Sequence, residues 1–393
     1  MLMKPKKILK SLSELPTMPS TIGTMEWNQT GDWRYLTPLV ANKSAPCTRN
    51  CPAGIPIPDY LSALKHGDVQ TALSLLLAYN PLPGLTGRLC YHPCQTKCTR
   101  QKIDGPISIR EIERFMAELG TDAKSKQNEK SDKRVTVIGS GPLGLSCAFY
   151  LGCRGLQVTV LDVRDQAGGA LVELSAKKIE SQILEDEISR LIRIADIHLE
   201  TGAVLDFNKP GKSLSKADLI ILDPTGFPEE PEAPAGAVPF NSLVDEDISG
   251  DFIAVTLPEN LKPFKAPMIA HYIGTGRLLA EKAFARLVGR SPGAGNTKDI
   301  QIETSLELTL SVGAERKREG TWEREKVLQE AARCMSCGTC NLCLQCVLSC
   351  PEACIRRNYD KTAVTVNLDF CKGCGICAYE CPCEVITMEE MNS

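Results

Sequence analysis

Twelve of the chain's nineteen cysteines lie within the fifty residues from Cys334 to Cys383, and eight of those twelve form two runs of one spacing. The first run is Cys340-x2-Cys343-x2-Cys346-x3-Cys350-Pro351, and the second is Cys371-x2-Cys374-x2-Cys377-x3-Cys381-Pro382. Thiolates at this spacing wrap a cubane iron–sulfur cluster. Three sit on a tight loop and reach three irons, while the fourth leaves on a helix to ligate the other cluster. One expected [4Fe–4S] ligand set is therefore Cys340, Cys343, Cys346 and Cys381. The other is Cys371, Cys374, Cys377 and Cys350. A disulfide scaffold needs an oxidising compartment, for which the sequence carries no signal. Structural zinc takes ligand pairs across longer spacers than these. The chemistry expected is one-electron transfer.

Two further sets of residues could do chemistry. Cys47-x3-Cys51-Pro52 and Cys90-x3-Cys94-x3-Cys98 form a second concentration of thiols near the N-terminus. In the middle of the chain, Arg134 to Ile138 reads as a strand, followed by Gly139-Ser-Gly141-Pro-Leu-Gly144 and a helix. Val158 to Leu161 reads as the next strand and ends at Asp162, about twenty residues beyond the glycines. Glycines at that turn let backbone approach a pyrophosphate at a helix N-terminus, and the acid takes ribose hydroxyls.

The elements that position these groups follow from periodicity and punctuation. An apolar helical stretch runs from Ile57 through Leu77 and closes at Asn80-Pro81; Ile107 to Leu119 reads as an amphipathic helix with Ile109, Ile112 and Met116 on one face. Residues 121–133 are polar and lysine-rich without apolar periodicity, which marks a linker, and 291–330 reads as a second linker that ends in a helix over 321–333. Residues 1–45 form an extension in which Trp27, Trp33 and Tyr35 are available to pin it to a neighbouring domain. The 393 residues, with a hydrophobic fraction of 43 %, suit two or three soluble domains. A net charge of −3 and few aromatics argue against nucleic acid as partner. The basic N-terminus lacks the apolar run of a signal peptide, and no stretch approaches the ~20 apolar residues of a membrane span. The expected location is a reducing cytoplasm. No Ser-His-Asp, paired-carboxylate or P-loop constellation supports acyl, glycosyl or phosphoryl chemistry.

The C-terminal runs resemble a bacterial-type two-cluster ferredoxin. Asn80-Pro81-Leu82-Pro83, Thr86-Gly87-Arg88-Leu89-Cys90 and Ile107 to Phe115 resemble the N-terminal iron–sulfur domain of the glutamate synthase small subunit, which also opens dihydropyrimidine dehydrogenase. That resemblance implies a helical domain with two [4Fe–4S] clusters between an electron partner and a flavin. The family's first C-x2-C pair, upstream of the C-x3-C-P, is absent from this chain. Cys334-x2-Cys337 is surplus to the ferredoxin runs and has the missing spacing. A carboxylate or amide ligates an iron from the family's helix here, which points to Glu113. The ligand sets implied are Cys47, Cys98, Cys334 and Cys337 for one cluster, and Cys51, Cys90, Cys94 and Glu113 for the other.

Gly168-Gly169 after the acid resembles the FAD version of the dinucleotide fold, as does Gly274-Thr-Gly276-Arg277 in a closing helix. The family's Gly-Asp pair at the flavin is replaced by Thr256-Leu257, and no second glycine fingerprint for NAD(P)H lies between Gly169 and Leu257. The expectation is thus a multidomain chain. It has an α-helical N-terminal iron–sulfur domain (46–120), an α/β Rossmann-like FAD-type domain (134–290) without NAD(P), and an α+β two-cluster ferredoxin domain (331–393). Its cofactors would be four [4Fe–4S] clusters and FAD. It would serve as an electron-transfer subunit among other redox subunits or a soluble ferredoxin. The rival readings are a self-sufficient NAD(P)H:ferredoxin oxidoreductase and a structural adaptor with an empty Rossmann module.

Overall fold

A computed structural model describes residues 29–119, 122–125, 130–173, 179–204, 216–227, 238–239, 252–254, 268–289, 302–305 and 322–390. The described residues form two compact units, one from 43–339 with 382–384, the other from the stretches up to 42, 340–381 and from 385 onward.

The larger unit begins with helices. The apolar stretch expected as one helix is two, α1 (Ile57–Lys65) and α2 (Val69–Tyr79). Gly67, at φ +79°, takes a left-handed turn between them, and Asp68 caps α2 by accepting from the Thr71 N–H at 3.0 Å. Each helix buries one stripe: Ile57, Tyr60, Leu61 and Leu64 on α1, and Ala72, Leu73, Leu76 and Leu77 on α2. The helix α3 (Pro83–Leu89) starts on a proline, whose missing N–H costs nothing at that position. Buried Asn80 ties its entry by donating to Thr86 Oγ1 at 2.7 Å and accepting from the Leu82 N–H at 3.1 Å. In α4 (Ile109–Glu118), Ile109, Ile112 and Met116 are buried as their spacing requires, and Glu113 is buried with them.

A six-stranded, wholly parallel sheet follows. Its strands are β1 (Arg134–Ile138), β2 (Gln157–Leu161), β3 (His198–Glu200), β4 (Leu219–Leu222), β5 (Val238–Pro239) and β6 (Phe252–Ala254), and their order is β3-β2-β1-β4-β6-β5. The order reverses at β1, as in a doubly wound fold, and ligands of such sheets bind beyond the strand C-termini at that reversal. Three helices cover the sheet: α5 (Pro142–Cys153), α6 (Ser181–Ala195) and α7 (Ile269–Val288). A Cβ at Gly276 would stand 2.5 Å from Leu143 O, so that glycine lets α7 lie directly on α5. Gly274 meets the Pro52 carbonyl in the same close way, which docks α7 on the N-terminal helical layer. The helix α8 (Arg324–Ala332) buries Val327 and Ala331 and delivers the chain to Cys334.

Both segments expected as linkers contribute a strand. Asp122–Ser125 pairs antiparallel with Ile302–Ser305. These short polar strands carry no apolar alternation, so pattern alone does not reveal them. Thr256 and Leu257, the charge run at 315–319, Trp27 and the Trp33 side chain lie outside the described residues.

The smaller unit repeats one backbone design twice. Gly373 and Gly375 take φ of +69° and +79° in the second cysteine run; at the same offsets in the first run stand Leu342 and Leu344, at +57° and +62°. Leucine pays a steric cost in that region which glycine does not. Leu36–Val40 pairs antiparallel with Ile386–Glu390, and Ile355–Arg357 with Val364–Val366. The extension is therefore attached by a strand and by the Gly31 N–H, which donates to Asp369 O at 2.8 Å. Tyr35, offered as an anchor, is 87 % exposed and anchors nothing.

Candidate functional site

The structure places members of each quartet named from the sequence near one another. On the α-helical side of the larger unit, Cys47 faces Cys334, Cys337 and Cys98; burial and then repulsion from those three neighbours push its thiol up to about 12. Cys334 is raised by burial and feels Cys337 and Cys98. Thr99 Oγ1 lies 2.8 Å from Cys337 Sγ, and Cys337 falls to about 7 because the Cys383 thiol hydrogen-bonds to it. The segment is fastened beside the N-terminal helices. Arg100 Nη1 donates to Arg333 O at 2.8 Å, the Ser108 N–H donates to Glu330 Oε1 at 2.8 Å, and the Lys43 N–H donates to Gly338 O at 2.8 Å.

The second quartet is more deeply buried. Cys51 and Cys90 are pushed by burial to about 11 and about 12, and both feel Glu113. Cys94 is raised further by burial, then by Glu113, Cys51 and Cys90. Glu113 is 3 % exposed, so it is no solvated helix charge; burial lifts its carboxyl to about 7. The fully buried Tyr60 hydroxyl donates to Glu113 Oε1 at 3.1 Å. The Tyr60 contact has no sequence signal, since the partners stand 53 residues apart on α1 and α4. His92, at φ +52°, is buried with Nδ1 2.7 Å from Cys90 O, and its Nε2 has no partner among the described residues. Cys94 also feels Cys47, so the two quartets are neighbours.

In the smaller unit, burial raises Cys346 to about 11, and Cys381, Cys343 and Cys340 add to the effect. Burial likewise raises Cys377, which faces Cys371, Cys374 and Cys350. A small hollow is lined by these last four. Among the described residues no three His, Cys, Asp or Glu side chains are placed to hold a single metal ion. Burial keeps the thiols it raises neutral while no metal is bound, and thiols gathered in sets of four but not aimed at one point suit a polynuclear cluster, which would take them as thiolates. The donor sets fit iron–sulfur clusters on these grounds, whose chemistry is reversible one-electron transfer.

The glycine turn can be examined donor by donor. The Gly139 N–H donates to Leu161 O at 2.8 Å, the Ser140 N–H to Asp162 Oδ2 at 2.9 Å, and the Gly144 N–H to Asp223 Oδ2 at 2.9 Å. Pro142 has no N–H to give. The Gly141 and Leu143 N–H groups at the start of α5 have no hydrogen-bond partner among the described residues, as expected of the first N–H groups of a helix. Asp162 is 1 % exposed, and its carboxylate accepts from the Ser140 hydroxyl and, at 2.9 Å, from the Arg164 N–H. The Gly168 N–H donates to that same hydroxyl at 2.8 Å, which joins Gly168 and Gly169 to the turn. Asp223, missed in the sequence reading, is wholly buried and accepts from the Thr225 N–H and hydroxyl at 2.8 and 2.7 Å; burial lifts it to about 6. The turn fits the diphosphate of a dinucleotide.

Residues 40–125 match the family model described as dihydropyrimidine dehydrogenase domain II, 4Fe-4S cluster. Residues 137–180 match that of the NAD(P)-binding Rossmann-like domain. The chain is similar to the NADP(+)-dependent formate dehydrogenase subunit beta of Moorella thermoacetica, 32 % identical over 190 residues, covering 42 % of this chain and 27 % of that one. It is also similar to the NADPH-Fe(3+) oxidoreductase subunit beta of Geobacter sulfurreducens, 32 % identical over 134 residues, 33 % of this chain and 20 % of that one. The glutamate synthase [NADPH] small chain of Bacillus subtilis is 36 % identical over 149 residues, 37 % and 30 % of the two chains. Each match spans less than a third of the relative's length. A helical 4Fe-4S domain and a Rossmann-like domain are thereby shown, in a chain related to oxidoreductase subunits.

The expectation of no NAD(P) is corrected. The family model on 137–180 is an NAD(P)-binding one, and relatives are named for NADP dependence. The glycine turn, helix and acid are shared by nicotinamide and flavin dinucleotide folds, so the absence of a second fingerprint did not exclude nicotinamide. Among the described residues no helix is long and apolar enough to cross a membrane.

Proposed function

We propose that the chain is an electron-transfer subunit of an oxidoreductase complex in a reducing compartment. It would pass electrons between a dinucleotide at the Gly139–Gly144 turn and four [4Fe–4S] clusters. Cys47, Cys98, Cys334 and Cys337 would hold one cluster, and Cys51, Cys90, Cys94 and Glu113 the second. Cys340, Cys343, Cys346 and Cys381 would hold a third, and Cys371, Cys374, Cys377 and Cys350 a fourth, making the C-terminal part a two-cluster ferredoxin domain. Gly141 and Leu143 would bind the diphosphate, with Gly168 and Gly169 beside it, while Asp162, buried and engaged by Ser140 and Arg164, would hold the turn in shape rather than reach the ribose as its position in the sequence suggested. The observation that carries this reading is the meeting of Cys47 and Cys98 with Cys334 and Cys337, about 290 residues along the chain. Nothing in a purely structural role requires four partly buried thiols to gather from three distant segments.

The helix α7 links the two chemistries. It packs by Gly276 on α5, whose N-terminus is the dinucleotide turn, and by Gly274 on Pro52, next to Cys51. Tyr91, next to Cys90, lies with its hydroxyl 3.1 Å from His271 Nε2 on the same helix. Within the larger unit, α7 thus connects the quartet of Cys51, Cys90, Cys94 and Glu113 to the dinucleotide module. The relatives' names favour NADPH as the electron source or sink, in which case the chain works as an NAD(P)H-linked oxidoreductase component. Mixing anaerobically purified chain with NADPH tests the reading. Bleaching of the cluster absorbance supports it, whereas a chain that binds neither NADPH nor flavin, and whose clusters no dinucleotide reduces, contradicts it.

A further inference from the structure

We propose that Cys354 is a fifth sulfur donor at the cluster of Cys350, Cys371, Cys374 and Cys377, exchanging with Cys350 on one iron. The inference rests on the ferredoxin reading of this unit. A cubane takes four protein ligands, yet five thiols line the hollow: those four and Cys354. Cys354 Sγ lies 3.4 Å from Cys350 Sγ, within reach of an S–H···S hydrogen bond and far beyond the ~2.05 Å of a disulfide.

Its position is fixed by the backbone. The Ala353 N–H donates to Cys350 O at 3.1 Å, Ala353 turns the chain at φ +49°, and the Asn367 N–H donates to Cys354 O at 2.7 Å. The following residue, Ile355, enters the strand paired with Val364–Val366. The thiol is 5 % exposed. Packing alone does not ask for sulfur here. Four residues beyond Cys381, the matching offset after the other run, stands Val385 at 2 % exposure. The fold accepts a plain aliphatic side chain at that offset, so the sulfur at 354 is extra to the fold and placed at the cluster.

With Cys350 bound to iron as a thiolate it would have no proton to give, so the Cys354 S–H would donate across this contact and favour the more negative, reduced cluster. In the exchange, the iron–Sγ bond to Cys350 breaks as the bond to Cys354 forms, and the Cys354 proton moves to Cys350. No electron is transferred and the ligand charge is unchanged.

The test uses full-length chain purified anaerobically, with iron, acid-labile sulfide and EPR as readouts. Cys350→Ala should keep the wild-type iron and sulfide content with one altered EPR signal, while Cys350→Ala/Cys354→Ala should lose four irons. A Cys350→Ala chain that loses as much iron as the double variant overturns the proposal. Should Cys350→Ala fail to fold, Cys354→Ala decides. A full complement of iron with a more negative midpoint potential for one cluster supports the proposal; an unchanged potential overturns it. If the wild-type chain itself shows no ferredoxin-type EPR signals, the ferredoxin reading fails, and the exchange falls with it rather than by its own test.

Discussion

Replacing Cys334 and Cys337 together by alanine separates a cluster that joins distant parts of the chain from thiols that merely lie near one another. Cys47 meets both of them and Cys98, and all are at least partly buried. Two remaining thiols cannot hold a cubane, so iron should fall from about sixteen to about twelve per chain, four for each lost cluster. A stability loss follows from loop closure. A cross-link spanning roughly 290 residues removes about 5–6 kcal/mol of chain entropy from the unfolded state in the chain-entropy treatment used for disulfides. The hydrogen bonds from the Arg100 guanidinium to Arg333 O and from the Ser108 N–H to the Glu330 carboxylate, each with one charged partner, contribute about 1.5–3 kcal/mol each and persist in the variant, so the segment stays docked and the loss should not exceed the cross-link figure. The assays are iron and sulfide content, denaturant midpoint and limited proteolysis after α8. The two EPR signals of the ferredoxin runs should persist. Retention of all sixteen irons, or loss of a ferredoxin signal instead, would refute the assignment.

Glu113→Ala should cost at least one iron and change one EPR signal of the larger unit; unchanged iron would leave Glu113 as a buried acid serving Tyr60 alone. In Gly141→Ala the new Cβ meets Thr225 Oγ1 and the backbone behind it, so NADPH and flavin affinity should drop at least tenfold with iron content unchanged. Gly276→Ala places a Cβ 2.5 Å from Leu143 O and forces α7 off α5, an overpacking cost of about 1–3 kcal/mol visible as a lower Tm. Asp223 has a folded pKa of about 6 against 3.8 unfolded, raised by burial. Its contribution is present below 3.8 and is lost as pH rises through 6, with a slope of at most about 1.4 kcal/mol per pH unit. Asp223→Asn should remove that slope between pH 5 and 6, and an unchanged slope in urea unfolding would show that Asp223 does not titrate there.

The cysteine runs stand out in the sequence because cluster chemistry imposes spacing. In the runs from Cys340 to Cys350 and from Cys371 to Cys381 the spacing led to three loop positions and one on a helix, whereas the structure puts the third cysteine of each run, Cys346 and Cys377, on a short helix and the fourth beyond its end. The surplus pair Cys334-x2-Cys337 could be placed only by counting ligands, and the structure brings it to Cys47 and Cys98. Strand β1, the glycine turn and Asp162 were readable for the same reason. The choice between nicotinamide and flavin was not, because the same turn serves both. Asp223 and Tyr60 were invisible, since each acts through a partner distant in sequence that no local period announces. The strand pairing of Leu36–Val40 with Ile386–Glu390 was missed for a similar reason: Pro38 and mixed exposure erase the alternation that marks a strand.

Iron and acid-labile sulfide, quantified on the full chain after anaerobic purification, test the central claim most directly. Four [4Fe–4S] clusters predict that each approaches sixteen per polypeptide. Substantial zinc with little sulfide would contradict the account.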